Sequence, residues 1–236
     1  MSIISAKTAG AAGVAPVIRT APDKQEPVVN LPGRGGIYRH VFKRALDLFA
    51  ILAAVPIVLP VVLGLAILVA RDGGSPFYSQ MRVGKGGRSF RMWKLRSMVI
   101  DADQRLDSWL EANPEARAEW DSTQKLRNDP RITAFGHFLR RSSLDELPQL
   151  WNVFIGDMSL VGPRPMMLNQ RDLYPGTAYY ALRPGVTGYW QTAGRNRTTF
   201  EARAEYDAVY EERLSLATDL GIMARTVAVV LRGTGC

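Results

Sequence analysis

Two adjacent carboxylates, Asp145 and Glu146, stand in the stretch Ser142-Ser143-Leu144-Asp145-Glu146-Leu147-Pro148-Gln149-Leu150-Trp151. Such a pair suits phosphoryl chemistry with a divalent metal: one carboxylate attacks phosphorus while the other holds a hard cation such as Mg²⁺. A local alternative is a capping box of Ser143 with Glu146. It would set Pro148 past the first helical turn, where the ring meets a helical carbonyl. A helix starting at Asp145 keeps Pro148 within the first turn and puts Leu147, Leu150, Trp151 and Phe154 on one buried face. The dyad then lies at the electropositive end of that helix, which favours phosphate.

Downstream, Gly162-Pro163-Arg164-Pro165 places an arginine between two prolines. The restricted backbone holds its planar guanidinium for bidentate phosphate contact, although a solvent-facing loop arginine would have the same sequence. Lys94 and Arg96 share a face if their segment is a strand, and could join Arg164 around a polyanionic donor. Histidine chemistry is poorly supported: His40 adjoins an apolar run and His137 has no Cys or acidic neighbours at ligand spacing. Gly84-Lys85-Gly86-Gly87 lacks the strand-to-helix setting of a nucleotide loop and reads as a hairpin turn.

These residues need a scaffold, and the sequence outlines one. Phe77 to Val83 and Ser89 to Met98 flank the glycine turn as two strands. Residues 101–127 are acidic and polar, predicting one or two surface helices interrupted at Pro114. Leu216, Leu220, Met223, Val227 and Val230 recur at helical spacing; that helix either lies on a membrane surface or packs into the core. Residues 1–36, rich in Ala, Gly, Pro and Val without periodicity, predict a mobile tail rather than a secretion signal.

Leu48 to Ala70 contains no charged side chain and is long enough to enter lipid. Basic residues flank it on both sides: Arg34, Arg39, Lys43 and Arg44 before, then Arg71, Arg82, Lys85, Arg88, Arg91, Lys94 and Arg96 after. Both flanks can be cytoplasmic only if the run enters and leaves by the same face. Pro56 and Pro60, near its middle, remove backbone donors and allow two arms there. A straight helix of this length, about 35 Å, could instead cross as a kinked span. The re-entrant form is the expectation and the span its alternative.

The chain has 236 residues, 47% hydrophobic, with formal charge +8. That fits one catalytic unit with a tail. The basic excess beside an apolar run favours anionic headgroups and phosphorylated substrates over nucleic acid. The lone cysteine, Cys236, excludes an intrachain disulfide.

Several segments, in order, resemble the bacterial sugar transferase family, the small monotopic phosphoglycosyl transferases. They are Lys43-Arg44-Ala45-Leu46-Asp47; Lys94-Leu95-Arg96-Ser97-Met98; Leu144-Asp145-Glu146-Leu147-Pro148-Gln149-Leu150; and Gly156-Asp157-Met158-Ser159-Leu160-Val161-Gly162-Pro163-Arg164-Pro165. Arg183-Pro184-Gly185-Val186-Thr187-Gly188, Gly194-Arg195-Asn196 and Tyr206-Asp207 complete the pattern, over about residues 38–234. The family breaks its re-entrant helix at a Ser-Pro pair; here Val55-Pro56 and Leu59-Pro60 carry no serine.

The resemblance implies an α+β, mainly helical fold. It would comprise a re-entrant membrane helix over residues 37–72 and a small cytosolic catalytic domain over 73–236, with a short β-hairpin and interfacial amphipathic helices. It implies Asp145 as nucleophile, Glu146 as the Mg²⁺ ligand, and Lys94, Arg96, Arg164, Arg195 and Asp207 around the donor. The implied reaction moves galactose or glucose phosphate from a UDP-sugar to undecaprenyl phosphate, releasing UMP and initiating exopolysaccharide assembly at the cytoplasmic face of the inner membrane. Membrane lipids and downstream glycosyltransferases would be its partners, and a homodimer is compatible with it. A non-catalytic membrane tether of the same machinery is the alternative, and it predicts no UMP release.

Overall fold

The computed structural model describes residues 36–123, 126–193 and 199–231; most of the expected tail lies outside them. Mostly helical with two short sheets, it bears out the α+β reading. One helix dominates. After a π-helical turn at Tyr38–Phe42, α1 runs over Lys43–Ala70 without interruption through Pro56 and Pro60. Each proline deletes one intrahelical hydrogen bond, yet neither ends the helix.

What distinguishes α1 is where it is buried. Its buried residues are Lys43, Asp47 and Ile51 at one end and Ala66 and Val69 at the other. Ile51 packs with Phe90, Met92, Val153 and Met158. Ala66 and Val69 pack with Leu95 and Leu139. Both ends therefore dock on the same body, while the middle exposes Leu52, Val55, Ile57, Leu59, Val61 and Leu63.

The N-terminal end is also tied by polar contacts. Lys43 Nζ donates to Asp219 Oδ2 at 2.7 Å and to the Tyr210 hydroxyl at 3.0 Å, and Asp47 Oδ1 accepts from Ser159 Oγ and the Leu160 N–H. Buried charges of this kind are tolerated only when paired and hydrogen-bonded.

The hairpin forms as expected, with β1 (Phe77–Val83) antiparallel to β2 (Ser89–Leu95) and a 3₁₀ turn at Lys85–Gly87. β2 stops at Leu95 rather than reaching Met98, because Met98 bridges Ile132 instead. Two helices, α2 (Ala102–Ala112) and α3 (Pro114–Thr123), meet at the predicted proline. Next come α4 (Ala134–Ser142), α5 (Gln149–Ile155) and β3 (Ser159–Val161).

β3 pairs in parallel with β4 (Gly185–Thr187). α6 (Ala178–Ala181), α7 (Tyr189–Ala193), α8 (Arg203–Glu212) and α9 (Leu216–Leu231) complete the chain. In α9 the inward face is Asp219, Ile222 and Thr226, whose hydroxyl meets that of Thr187. The apolar stripe Leu216, Leu220 and Val227 points outward. The packing reading holds for one face, and the other is exposed.

Candidate active site

Asp145 does not open the long helix expected over it. It sits in a separate 3₁₀ turn, Leu144–Glu146, and α5 begins only at Gln149 with Pro148 as its N-cap. A proline at the cap has no N–H to lose from the helix, so the start moves downstream of the dyad. The inward face changes with it: Gln149, Asn152 and Val153 are buried, while Trp151 and Phe154 are exposed and stack on each other. Ser143 makes no side-chain cap. It ends α4 in the left-handed region at φ 57°, the single non-glycine residue there among those described. This strained turn reverses the chain directly into the dyad.

Within the dyad Asp145 is buried and Glu146 partly exposed, and Lys94 bridges the two. Asp145 is buried, and Lys94 Nζ reaches its Oδ2 at 3.2 Å and Glu146 Oε1 at 2.8 Å. Burial pushes the Asp145 carboxyl above its ordinary range, and Glu146 adds to that; Lys94 and Arg140 oppose it. Lys94 is brought here by Asn152, which is fully buried on α5: its Oδ1 accepts the Trp93 N–H and its Nδ2 donates to the Arg91 carbonyl. These are the outward groups of β2, so α5 replaces a missing strand neighbour and fixes the register that presents Lys94.

Arg164 is exposed and lines a cavity with Met166, Tyr174, Trp190, Arg203 and Asp207. Gly162 permits its placement, since a Cβ there would collide with the Arg183 carbonyl and Gly185 nitrogen. Asp207 is buried and accepts from the Tyr174 hydroxyl at 2.8 Å. Its burial raises its pKa to about 7 against the opposing Tyr174 hydrogen bond and Arg203 charge.

Arg96, expected beside Lys94, lies past the end of β2. It pairs with Asp72 at 2.6 Å and donates to Ser75, Met98 and Val69 carbonyls, fastening the end of α1. Arg195 lies outside the described residues. Sequence reasoning missed Arg203 and Tyr174 and counted Arg82 only as part of a basic block. Arg203 stands four residues before Asp207, a helical spacing that could have placed it on the same face.

The residues fit a hard cation sparingly. Among the described residues no cluster of three or more His, Cys, Asp or Glu exists. The adjacent dyad carboxylates already share an ammonium, and Mg²⁺ usually takes one or two carboxylates with substrate phosphates completing its shell. The donor set suits Mg²⁺ arriving with a diphosphate.

Comparisons with known proteins identify the family of the chain. Residues 38–233 match the model of the bacterial sugar transferase family. The UDP-galactose-lipid carrier transferase of Erwinia amylovora is 47% identical over 195 residues, covering 82% of this chain and 41% of that protein. The exopolysaccharide production protein ExoY of Rhizobium meliloti is 42% identical over 196 residues, 82% of this chain and 87% of its own. The UDP-glucose:undecaprenyl-phosphate glucose-1-phosphate transferase of Xanthomonas campestris is 37% identical over 220 residues, 87% of this chain and 42% of that protein. The chain thus spans about two fifths of the first of these relatives and most of ExoY.

Proposed function

The chain belongs to the bacterial sugar transferase family, and we propose that it transfers galactose or glucose 1-phosphate from a UDP-sugar to undecaprenyl phosphate at the cytoplasmic face of the inner membrane. The observation that carries this is the buried Asp145 carboxylate, beside Glu146 and bridged to it by Lys94. Asp145 attacks the sugar-bearing phosphorus; an Asp–O–P bond forms as the bond to UMP breaks, and UMP leaves with that oxygen. A lipid phosphate oxygen then attacks the same phosphorus, forming the lipid diphosphosugar and returning Asp145 as carboxylate. Mg²⁺ held by Glu146 and the donor would neutralise diphosphate charge. Lys94 opposes the effect of burial, favouring the ionised form of Asp145, and orients it.

The same reading makes α1 a re-entrant element. That both its ends pack on one body while its middle is exposed supports a segment that enters and leaves the bilayer by the same face. The exposed Trp151, Phe154, Leu216, Leu220 and Val227 add apolar surface suited to the interface. Single cysteines at Gly36 and Ser108, in a Cys236→Ser background, should both label from the cytoplasm only; periplasmic labelling at Gly36 would establish a spanning helix.

The reaction is tested by UMP release from a panel of UDP-sugars, with and without undecaprenyl phosphate and Mg²⁺. Release that needs lipid and metal supports the transfer and identifies the sugar. No release with any donor, from protein with a cooperative unfolding transition, would return the chain to a non-catalytic tether.

A further inference from the structure

One buried polar side chain next to the dyad breaks the rule that the rest of the fold obeys. Gln149 is only 3% exposed, yet its amide makes no hydrogen bond among the described residues. Every other buried polar side chain there, from Lys43 and Asp47 to Asp219, makes at least one. An amide taken out of water without a partner costs free energy, and a leucine or methionine would fill the same volume without that cost. Packing alone therefore does not account for a glutamine here.

The amide is not sealed in. Gln191 Oε1 is enclosed without a partner, whereas neither amide atom of Gln149 is enclosed in that way. What little surface the residue keeps thus includes its polar end, where a group entering the site can touch it.

Its position points to the dyad. Gln149 opens α5, and the backbone before it is helical throughout: the 3₁₀ turn at Leu144–Glu146 is followed by Leu147 and Pro148, both in the right-handed helical region. On such a path residues three and four apart share a face, and side chains lean toward the amino end. The Gln149 amide is carried back toward Glu146 and Asp145. Lys94 engages Asp145 Oδ2, while Oδ1 accepts no hydrogen bond among the described residues and is the oxygen free to attack.

Resting on the transferase reading above, we propose that Gln149 is a further catalytic residue, its Nε2 donating to a non-bridging oxygen of the phosphoryl group that Asp145 takes up and passes on. As the Asp145 oxygen bonds to phosphorus, the bond to UMP breaks and its electron pair leaves on the UMP oxygen. As the lipid phosphate oxygen attacks, the Asp145–phosphorus bond breaks and its pair returns to the carboxylate. Gln149 keeps its protons in both steps and holds the phosphoryl oxygens so that phosphorus lies in line with the attacking atom.

Two features favour the phosphoryl group over other parts of the substrates. It bonds to Asp145 itself, so its oxygens come within a turn of Gln149 in both half-reactions, whereas UMP and the lipid each take part in one. Charge is the second feature: a cation placed here would be captured by the carboxylates, as Lys94 is, while the uncharged amide stands beside them and bonds neither.

The test is single-turnover kinetics of the detergent-solubilised full chain, following UMP release on loading with a UDP-sugar and then discharge of the loaded enzyme by undecaprenyl phosphate. Gln149→Met keeps the length and removes the amide, so its unfolding temperature should not fall. Both half-reactions should slow on the order of 10²-fold, with KM for the UDP-sugar little changed. A donor with sulfur in place of one non-bridging oxygen on the sugar-bearing phosphorus gives a second readout, because sulfur is a weak acceptor. One of its two diastereomers should slow wild type about tenfold more than it slows Gln149→Met. Should the methionine variant fail to fold, Gln149→Glu, which keeps the shape and loses the donor, carries the same measurements.

Wild-type rates in a folded variant would overturn the assignment. So would slowing of one half-reaction alone, which would place Gln149 on UMP or on the lipid, or a change only in which sugar is accepted. A wild-type protein that releases no UMP from any UDP-sugar would overturn this assignment and the transferase reading together.

Discussion

The two ends of the candidate site treat charge in opposite ways. At the dyad, two carboxylates share one ammonium, and Asp145 is partly compensated despite its burial. At the Asp207 end, a carboxyl is paired with a phenol while nearby guanidiniums have no carboxylate. The first end is suited to a reacting group. The second leaves the Arg203 Nε buried without a hydrogen-bond partner. On the proposed reaction, the dyad would do the chemistry, while the Asp207 end differs from it in holding its carboxyl by a phenol rather than a cation.

The largest break in this contrast should come from Asp145→Asn, which keeps shape but removes the nucleophile: UMP release should fall at least about 10³-fold with the unfolding temperature little changed. Retained activity would remove Asp145 from the reaction.

Asp207→Asn tests the other end through stability. Burial raises the pKa of the folded carboxyl to about 7 from its ordinary 3.8. The stability this confers is full below about pH 4 and is lost as pH rises through about 7. Wild type should therefore lose on the order of a few kcal/mol across that window, and the asparagine variant should not. Parallel melting curves at pH 5 and pH 8.5 would contradict the buried neutral carboxyl.

Lys94→Met should cost on the order of 100-fold in kcat/KM and move the acidic limb of its pH profile upward, since Asp145 loses a cation that favours its ionised form. An unmoved limb would assign Lys94 a purely binding role. Arg96→Gln should have the smallest effect on turnover: the hydrogen bonds to Asp72 and the end of α1 go, at about 1 kcal/mol of stability, with KM for the UDP-sugar unchanged. A raised KM would place Arg96 at the donor after all.

Much of this was legible in the sequence where a local signal is strong. The hairpin followed from its glycine turn, the split of α2 from α3 from Pro114, and the dyad from adjacent carboxylates. The reading failed where tertiary context decides. Trp151 and Phe154 look like a core face by period, yet the buried face of α5 is set by Asn152 reaching the β2 backbone, which no periodicity records. Arg96 has the right alternation to join Lys94, but β2 ends one residue too soon. Arg164 and Arg203 line one cavity from the loop after β3 and from α8, so they share no local pattern. Likewise, prolines near the middle of α1 suggested two arms, whereas the helix is continuous and docks at both ends.

The most direct measurement is the intact mass of the purified protein after incubation with the UDP-sugar it consumes, Mg²⁺ present and lipid acceptor withheld, followed by peptide mapping. A gain of one hexose phosphate on Asp145, discharged when undecaprenyl phosphate is added and absent in Asp145→Asn, is the expected result. A wild-type enzyme that turns over with lipid yet never carries the adduct, or carries it on another residue, would contradict the assignment of Asp145 as nucleophile.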